Sequence, residues 1–358
     1  MTEIAARKGM PDVQLTRAEF EARFRNRFFD PAFAANEEAI AAIIATAWDG
    51  YDVYRKNPVK LRAGNDFANP ETALPVEWLD TRRRIQEAEA RHRNPASPHR
   101  ILLVNGSMRS DQSCPGEMSK SWRLLTLAKD IIQSTDGFEI EVLDLSLLTS
   151  QYGRVIHPCK GCVSTAQPLC HWPCSCYPNF AMGQVSDWMN DIYPMWTAAH
   201  GVMIVTPVNW YQAPSGLKAM IDRLVCADGG NPDLTTTGKD PEKAKALEMQ
   251  GWDYPRHLAG RVFSVVVHGD SAGVENLRRI LTDWLTDIGM IPAGRRAQID
   301  AFIGYLGTYA ENHLDLDKDQ AVQDDVRTAA HALVNAVRQR RAGQLEQPDA
   351  GLHEARPK

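Results

Sequence analysis

The sequence predicts an α/β protein built on a doubly wound, five-stranded parallel sheet. Strand-like runs recur near residues 100–105, 138–144, 201–206, 261–268 and 290–300, and helical stretches separate them. That alternation is what strand–helix–strand units require. Three of the runs open into loops whose residues suit a ligand at the carboxyl edge of such a sheet.

Before the sheet, residues 1–98 are mostly helical in pattern, with segments near 16–29, 36–56 and 78–93, the last rich in Arg and Glu. These form an N-terminal extension, expected to cover a sheet face or wrap a partner subunit, because its apolar stripes must be buried somewhere. Residues 93–99 hold two prolines and read as a linker. The α/β domain then spans 99–310. A final helix over 319–342 and a frayed tail over 343–358 complete a C-terminal part, 311–358.

At the first strand, Ile101 to Val104 open into a Gly-Ser-x-Arg loop, Gly106 to Arg109, and a helix follows from about Ser119. Strand, glycine turn and helix N-terminus in that order suit a phosphate. Gly106 permits close backbone approach, Ser107 supplies a hydroxyl, Arg109 a cation, and the helix start its unpaired N–H groups. Neither a Walker A sequence nor a G-x-G-x-x-G fingerprint is present, so a nucleoside triphosphate or Rossmann-bound dinucleotide is not indicated. Taken alone, the loop is equally an ordinary strand-to-helix turn with a capping serine.

The other two loops add to it. Residues 201–206 run into Pro207, Val208, Asn209, Trp210 and Tyr211, then Pro214 and a helix carrying Lys218 and Asp222. The four-residue spacing of that last pair suits an exposed helix face rather than catalysis. Residues 262–267 end in His268, Gly269, Asp270, Ser271, Ala272 and Gly273.

With all three loops in this order, the chain resembles the flavodoxin-like NADPH-dependent FMN reductase family. The resemblance covers residues 99–310 and rests on three features: the Gly-Ser-x-Arg loop, the Thr-Pro-x6-Pro-x-x-Leu-Lys segment from Thr206 to Lys218, and the glycine-containing third loop. It implies a flavodoxin-like sheet, FMN as cofactor and NAD(P)H as co-substrate. Hydride would pass to FMN and on to a quinone, nitro, azo, metal or free-flavin acceptor.

The resemblance also assigns residues. Ser107, Arg109, Ser119, Lys120 and Ser121 would surround the FMN phosphate. The stretch from Ser110 to Met118 is longer than the family pattern, so which of the later three reaches the phosphate stays open. Asp111 and Glu117 would repel a phosphate and are expected to point elsewhere. Pro207, Val208, Asn209, Trp210 and Tyr211 would follow the isoalloxazine ring, with Asn209 at its polar edge and the two aromatics as stacking faces. They could equally be core or interface anchors. His268, Gly269, Asp270 and Gly273 would meet the pyrimidine end, where charge grows on reduction. His268 is either a proton donor or a structural hydrogen-bonder.

A cysteine cluster departs from a plain reductase. Cys159, Cys162, Cys170, Cys174 and Cys176 fall within eighteen residues. Cys159, Cys162, Cys170 and Cys174 are candidate ligands for a [4Fe-4S] cluster, as in related iron–sulfur flavoproteins, or for zinc, with His171 able to replace one. A metal-free remnant is the third possibility. The polar insertion between Cys226 and Gly260 could form a lid, with Trp252 and Tyr254 as its contacts or its anchors.

Composition narrows the class. A net charge of −5 offers no basic footprint for nucleic acid, and no apolar run is long enough to span a membrane. The first residues lack a signal-peptide core, and seven cysteines, an odd number, suit a reducing compartment. The expectation is a cytoplasmic homodimer or homotetramer acting on small molecules. The alternative is an electron-transfer flavoprotein or iron–sulfur flavoprotein serving a protein partner.

Overall fold

The computed structural model describes residues 14–113, 118–308 and 311–353. Glu117 lies outside them. The chain divides into two compact units, one comprising residues up to Pro58 together with Pro178–Val185, the other Val59–Tyr177 and Ser186 onward.

In the first unit, helix α1 (Arg17–Arg25) starts at a capping box in which Thr16 and Glu19 satisfy each other's backbone N–H groups. Asp30 and Pro31 then turn the chain, which is why one expected helix over 16–29 ends early. Helix α2 (Glu37–Asp52) packs Trp48 and Tyr51 around Phe20, with ring centroids 5.5 and 4.8 Å away.

The second unit begins with a hairpin, β1 (Lys60–Arg62) and β2 (Ala73–Pro75), followed by helix α3 (Val76–Arg93). The sheet strands are β3 (His99–Asn105), β4 (Phe138–Asp144), β5 (Gly201–Pro207), β6 (Val262–Gly269), β7 (Ile291–Pro292) and β8 (Gln298–Phe302). The helices are α4 (Lys120–Gln133), the single turn α5 (Leu147–Ser150), α6 (Met189–Ala198), α7 (Ser215–Arg223), α8 (Pro241–Met249), α9 (Val274–Asp287), α10 (Asn312–Lys318) and α11 (Gln320–Arg341).

All sheet pairings are parallel, in the order β4-β3-β5-β6, with β7 and then β8 along the outer side of β6. This is the doubly wound flavodoxin-like order. Alternation along each strand feeds two cores. Leu102, Val104, Val202 and Ile204 face α6, α7 and α9, whereas Ile101, Leu103, Met203 and Val205 face α4 and α11. Helices on both faces explain the apolar runs of β3 and β5, whereas the edge strand β4 carries Glu139 and Glu141 among its apolar positions.

Two expectations are corrected here. The run over 290–300 forms two strands, because Pro292 has no N–H to donate and Gly294 turns the chain at φ +92°. The segment after α11 is not frayed through its described part. Asp349 accepts from the Arg296 N–H at 3.0 Å, Asn335 donates to the Pro348 carbonyl at 3.1 Å, and Leu345 and Leu352 pack on the α11 side of the sheet. Among the described residues no helix is long and apolar enough to cross a membrane.

Candidate functional site

The outgoing loops of β3, β5 and β6 converge because β3 and β5 are the central neighbours from which the chain winds in opposite directions. Between them lies a cleft of about 610 Å³, within the usual size of a small-molecule site. Its wall brings together Ser107, Arg109, Ser119, Lys120, Ser121, Pro207, Val208, Asn209, His268, Gly269 and Asp270. Two glycines allow the loops to close on one another. A Cβ at Gly106 would sit 2.5 Å from Thr206 Oγ1, and one at Gly269 would sit 2.5 Å from Val208 Cγ1.

The first loop is held from beneath. Asn105 Nδ2 donates to Asp144 Oδ1 at 2.7 Å, its Oδ1 accepts from the Ser107 N–H at 3.2 Å, and Ser107 Oγ accepts from the Arg109 N–H at 3.1 Å. Thr149 ties the Met108 carbonyl at 2.7 Å and reaches the wall itself. The sequence carried no sign of Asn105, Asp144 or Thr149 in this role, since the contacts join β3 to β4 and to α5. Ser119 caps α4 by accepting from the Trp122 N–H at 3.3 Å, so the helix presents its N-terminus to the cleft. His313, from α10, joins the wall unforeseen, and Asp111 is exposed and off it.

His268 is buried, and its Nε2 hydrogen-bonds with Ser121 Oγ at 2.7 Å. Burial, reinforced by the nearby Lys120 charge, pushes its pKa down to about 3, so the imidazole is neutral near pH 7. That suits a structural tie between the first and third loops and not a proton donor. His92 and His200, stacked at 4.7 Å, are likewise pushed down to about 4, chiefly by burial.

Between these folded values and the ordinary 6.5, the unfolded chain binds more protons than the folded one. Stability is therefore fully present above pH 6.5 and falls as pH drops below it. Melting temperatures measured from pH 7.5 to 4.5 should decline, with a shallower slope in His268→Asn. A flat profile would contradict the buried neutral state.

Trp210, Tyr211 and Gly273 do not line the cleft. Asn209 and Gln212 exchange backbone hydrogen bonds at 2.9 Å across a two-residue turn, with Trp210 and Tyr211 at φ 47° and 66°. Positive φ at both central positions is the type I′ hairpin geometry, held here by bulky side chains at a cost of about 1–3 kcal/mol each. Trp210 is 92% exposed at its tip, and Tyr211 packs over Gly273.

The cysteine segment does not gather the candidate metal ligands into one centre. Among the described residues no three His, Cys, Asp or Glu side chains form a group able to hold a metal, so Cys159, Cys162, Cys170 and Cys174 are not supported as ligands. Cys170 is instead a buried core side chain near Trp172, its thiol pushed up by burial. His171 is committed to Ser175 at 2.7 Å and Thr237 at 3.1 Å. Cys162 lies 3.9 Å from Cys176, whose hydrogen bond lowers the Cys162 pKa.

The insertion after Cys226 packs on this segment and not over the cleft. Glu248 of α8 accepts from the Gln167 N–H at 2.9 Å, and Trp252 Nε1 donates to the Gly229 carbonyl at 2.8 Å. Trp252 is thus an anchor, and Tyr254 does not line the cleft. Lys218 and Asp222 pair on an exposed face of α7.

A doubly wound sheet with a polar cleft at its switch point defines a flavodoxin-like protein. The family model for NADPH-dependent FMN reductases matches residues 99–302, and the chain belongs to that family, whose members are NAD(P)H-dependent oxidoreductases. No curated protein sequence matches the chain. Among solved structures, it is similar to RosB with its bound intermediate 8-demethyl-8-formylriboflavin-5'-phosphate, at 17% identity, covering 70% of this chain and 81% of that one, with a TM-score of 0.45. It is also similar to the flavoenzyme NAD(P)H:(acceptor) oxidoreductase FerB from Paracoccus denitrificans, at 14% identity over 66% and 97% of the chains and a TM-score of 0.36. An azoreductase from Bacillus anthracis str. Sterne is 14% identical over 65% and 97%, with a TM-score of 0.34.

Proposed function

We propose that this protein oxidises NAD(P)H and passes the electrons through FMN, bound in the cleft, to a small acceptor such as a quinone, nitro, azo, metal or free-flavin compound. The observation that carries this reading is the meeting of Ser107, Arg109, Lys120 and the N-terminus of α4 on one wall. Hydroxyl, guanidinium, ammonium and helix N–H groups together form a phosphate site. When bound, FMN supplies the two-electron relay between nicotinamide and acceptor.

The chain's own residues then have distinct tasks. Arg109 and Ser107 hold the phosphate, with Ser121 positioned by the neutral His268. Pro207, Val208 and Asn209 border the ring, with the Asn209 amide at its polar edge. Gly269, which leaves room for Val208, would let backbone N–H groups of the third loop stabilise negative charge at the pyrimidine end. We also infer a homodimer or homotetramer, in which a second copy covers the exposed Trp210 on its rigid turn.

The test is an absorption spectrum of anaerobically handled protein with FMN, before and after NADPH. Flavin bands that bleach support the proposal, and reoxidation by a quinone, nitro or azo compound then identifies the acceptor class. Bound flavin that NAD(P)H fails to bleach would replace it with an electron carrier serving a protein partner. Failure to retain FMN would overturn it.

A further inference from the structure

We propose that Cys162 and Cys176 form a redox-active dithiol, a second centre that exchanges electrons with low-molecular-weight disulfides. None of the cysteines from Cys159 to Cys176 lines the cleft between the β3, β5 and β6 loops, so this centre does not depend on the flavin reading.

The geometry singles out one pair. The two sulfurs are 3.9 Å apart, and both side chains are only partly buried, so a small disulfide can reach them. They are fourteen positions apart, a span that closes readily into a loop. The approach is imposed by the surrounding structure. Gly161, at φ 65°, turns the chain into the short helical turn that begins at Cys162. On the other side, Cys176 is followed by Tyr177, whose hydroxyl donates to the Pro158 carbonyl at 2.9 Å and whose ring stacks on His157 at 4.7 Å. The two ends of the segment are thereby pinned together.

Two cations flank the ring of Tyr177, the residue that follows Cys176. Arg223 lies with its guanidinium 4.8 Å over the Tyr177 ring, and Lys160 lies 5.2 Å from the same ring. Asp187 clamps Arg223 from one side at 2.6 Å, while among the described residues its buried Nε has no hydrogen-bond partner. The attacking species in such an exchange is the thiolate. Cys174 and Cys176 are also hydrogen-bonded, so Cys176 stands between two sulfurs, with Cys162 on its more open side.

The exchange balances without another co-reactant. The Cys162 thiolate attacks one sulfur of a disulfide R–S–S–R, breaking its S–S bond and forming a mixed disulfide, and the released RS⁻ takes up the proton that left Cys162. Cys176 then attacks Cys162 Sγ, closes the Cys162–Cys176 bond and releases the second RSH. Two protein thiols are oxidised by two electrons, and one small disulfide is reduced to two thiols.

The full-length protein, reduced and then exposed to glutathione disulfide, would be quenched with N-ethylmaleimide, digested and analysed by mass spectrometry. A crosslinked peptide pair joining Cys162 to Cys176, lost again on treatment with dithiothreitol, is the expected result. Cys174→Ser should keep the crosslink. Cys176→Ser should abolish it and leave glutathione trapped on Cys162. A Cys174–Cys176 link, glutathione held on Cys162 of the unaltered protein, or both cysteines fully alkylated would each overturn the proposal. Folding of each variant is read from its circular dichroism, and a variant that fails to fold leaves the crosslink map of the unaltered protein as the deciding result.

Discussion

Replacing Arg109 with alanine is expected to weaken FMN binding by about 10- to 100-fold, since a hydrogen bond to a charged group is worth roughly 1.5–3 kcal/mol and 1.4 kcal/mol is tenfold. The effect should be large because the loop is already rigid. Asn105, Asp144 and Thr149 hold its backbone, so the cleft stays in place when the guanidinium is removed. Titrating apoprotein with FMN and following flavin fluorescence measures it. Arg109→Lys should recover part of the loss, because an ammonium keeps the charge without the planar fork. An unchanged Kd in Arg109→Ala would move the phosphate to another part of the wall.

The largest effect on stability is expected at Asp187. Its carboxylate meets Arg223 at 2.6 and 3.2 Å, and both side chains are fully buried. Asp187→Ala leaves a guanidinium without its counter-charge, a change that costs about 3–5 kcal/mol in buried pairs. The remaining contacts, the His157 carbonyl at 2.9 Å and the Tyr177 ring at 4.8 Å, carry no net charge to neutralise it. Urea unfolding should show a lower midpoint with an unchanged slope. Replacing both residues with apolar ones, Asp187→Leu with Arg223→Met, should recover much of the loss, because neither charge then has to be desolvated. A single-variant loss below about 1 kcal/mol would mean that water reaches the pair.

Strands β3, β5 and β6 were legible because a strand buried on both faces leaves an apolar run bounded by turn residues, whereas β4, at the sheet edge, keeps Glu139 and Glu141 among its apolar positions. The loops were legible for a related reason. A glycine that must allow close approach, as Gly106 and Gly269 do, and a cation beside it are local requirements that residue identity alone expresses. The split of the last strand was less legible, although Pro292 and Gly294 both marked it. Trp210 and Tyr211 were read as ring contacts because position in the motif says nothing of φ, and a type I′ turn carries Trp210 outward.

Other features depend on distances between residues far apart in the chain. Spacing made the cysteines look like a ligand set, but whether four thiols converge depends on the path between them, and here Cys170 turns into the core while Cys162 turns toward Cys176. Arg223 sits on a helix and Asp187 in an irregular segment 36 residues earlier, with nothing in either neighbourhood to mark the pair. The neutral state of His268 likewise follows from burial, which no single position reveals.

By itself, then, the sequence determined the parallel sheet and the three loops at its carboxyl edge, because hydrophobic periodicity and turn residues act within a few positions along the chain, while the flavin was implied by the resemblance of those loops to a family. Only the tertiary structure decided which side chains share the cleft, which thiols touch and which charges are sealed from water, because desolvation and contact are set by what packs across from a residue and not by its neighbours in sequence.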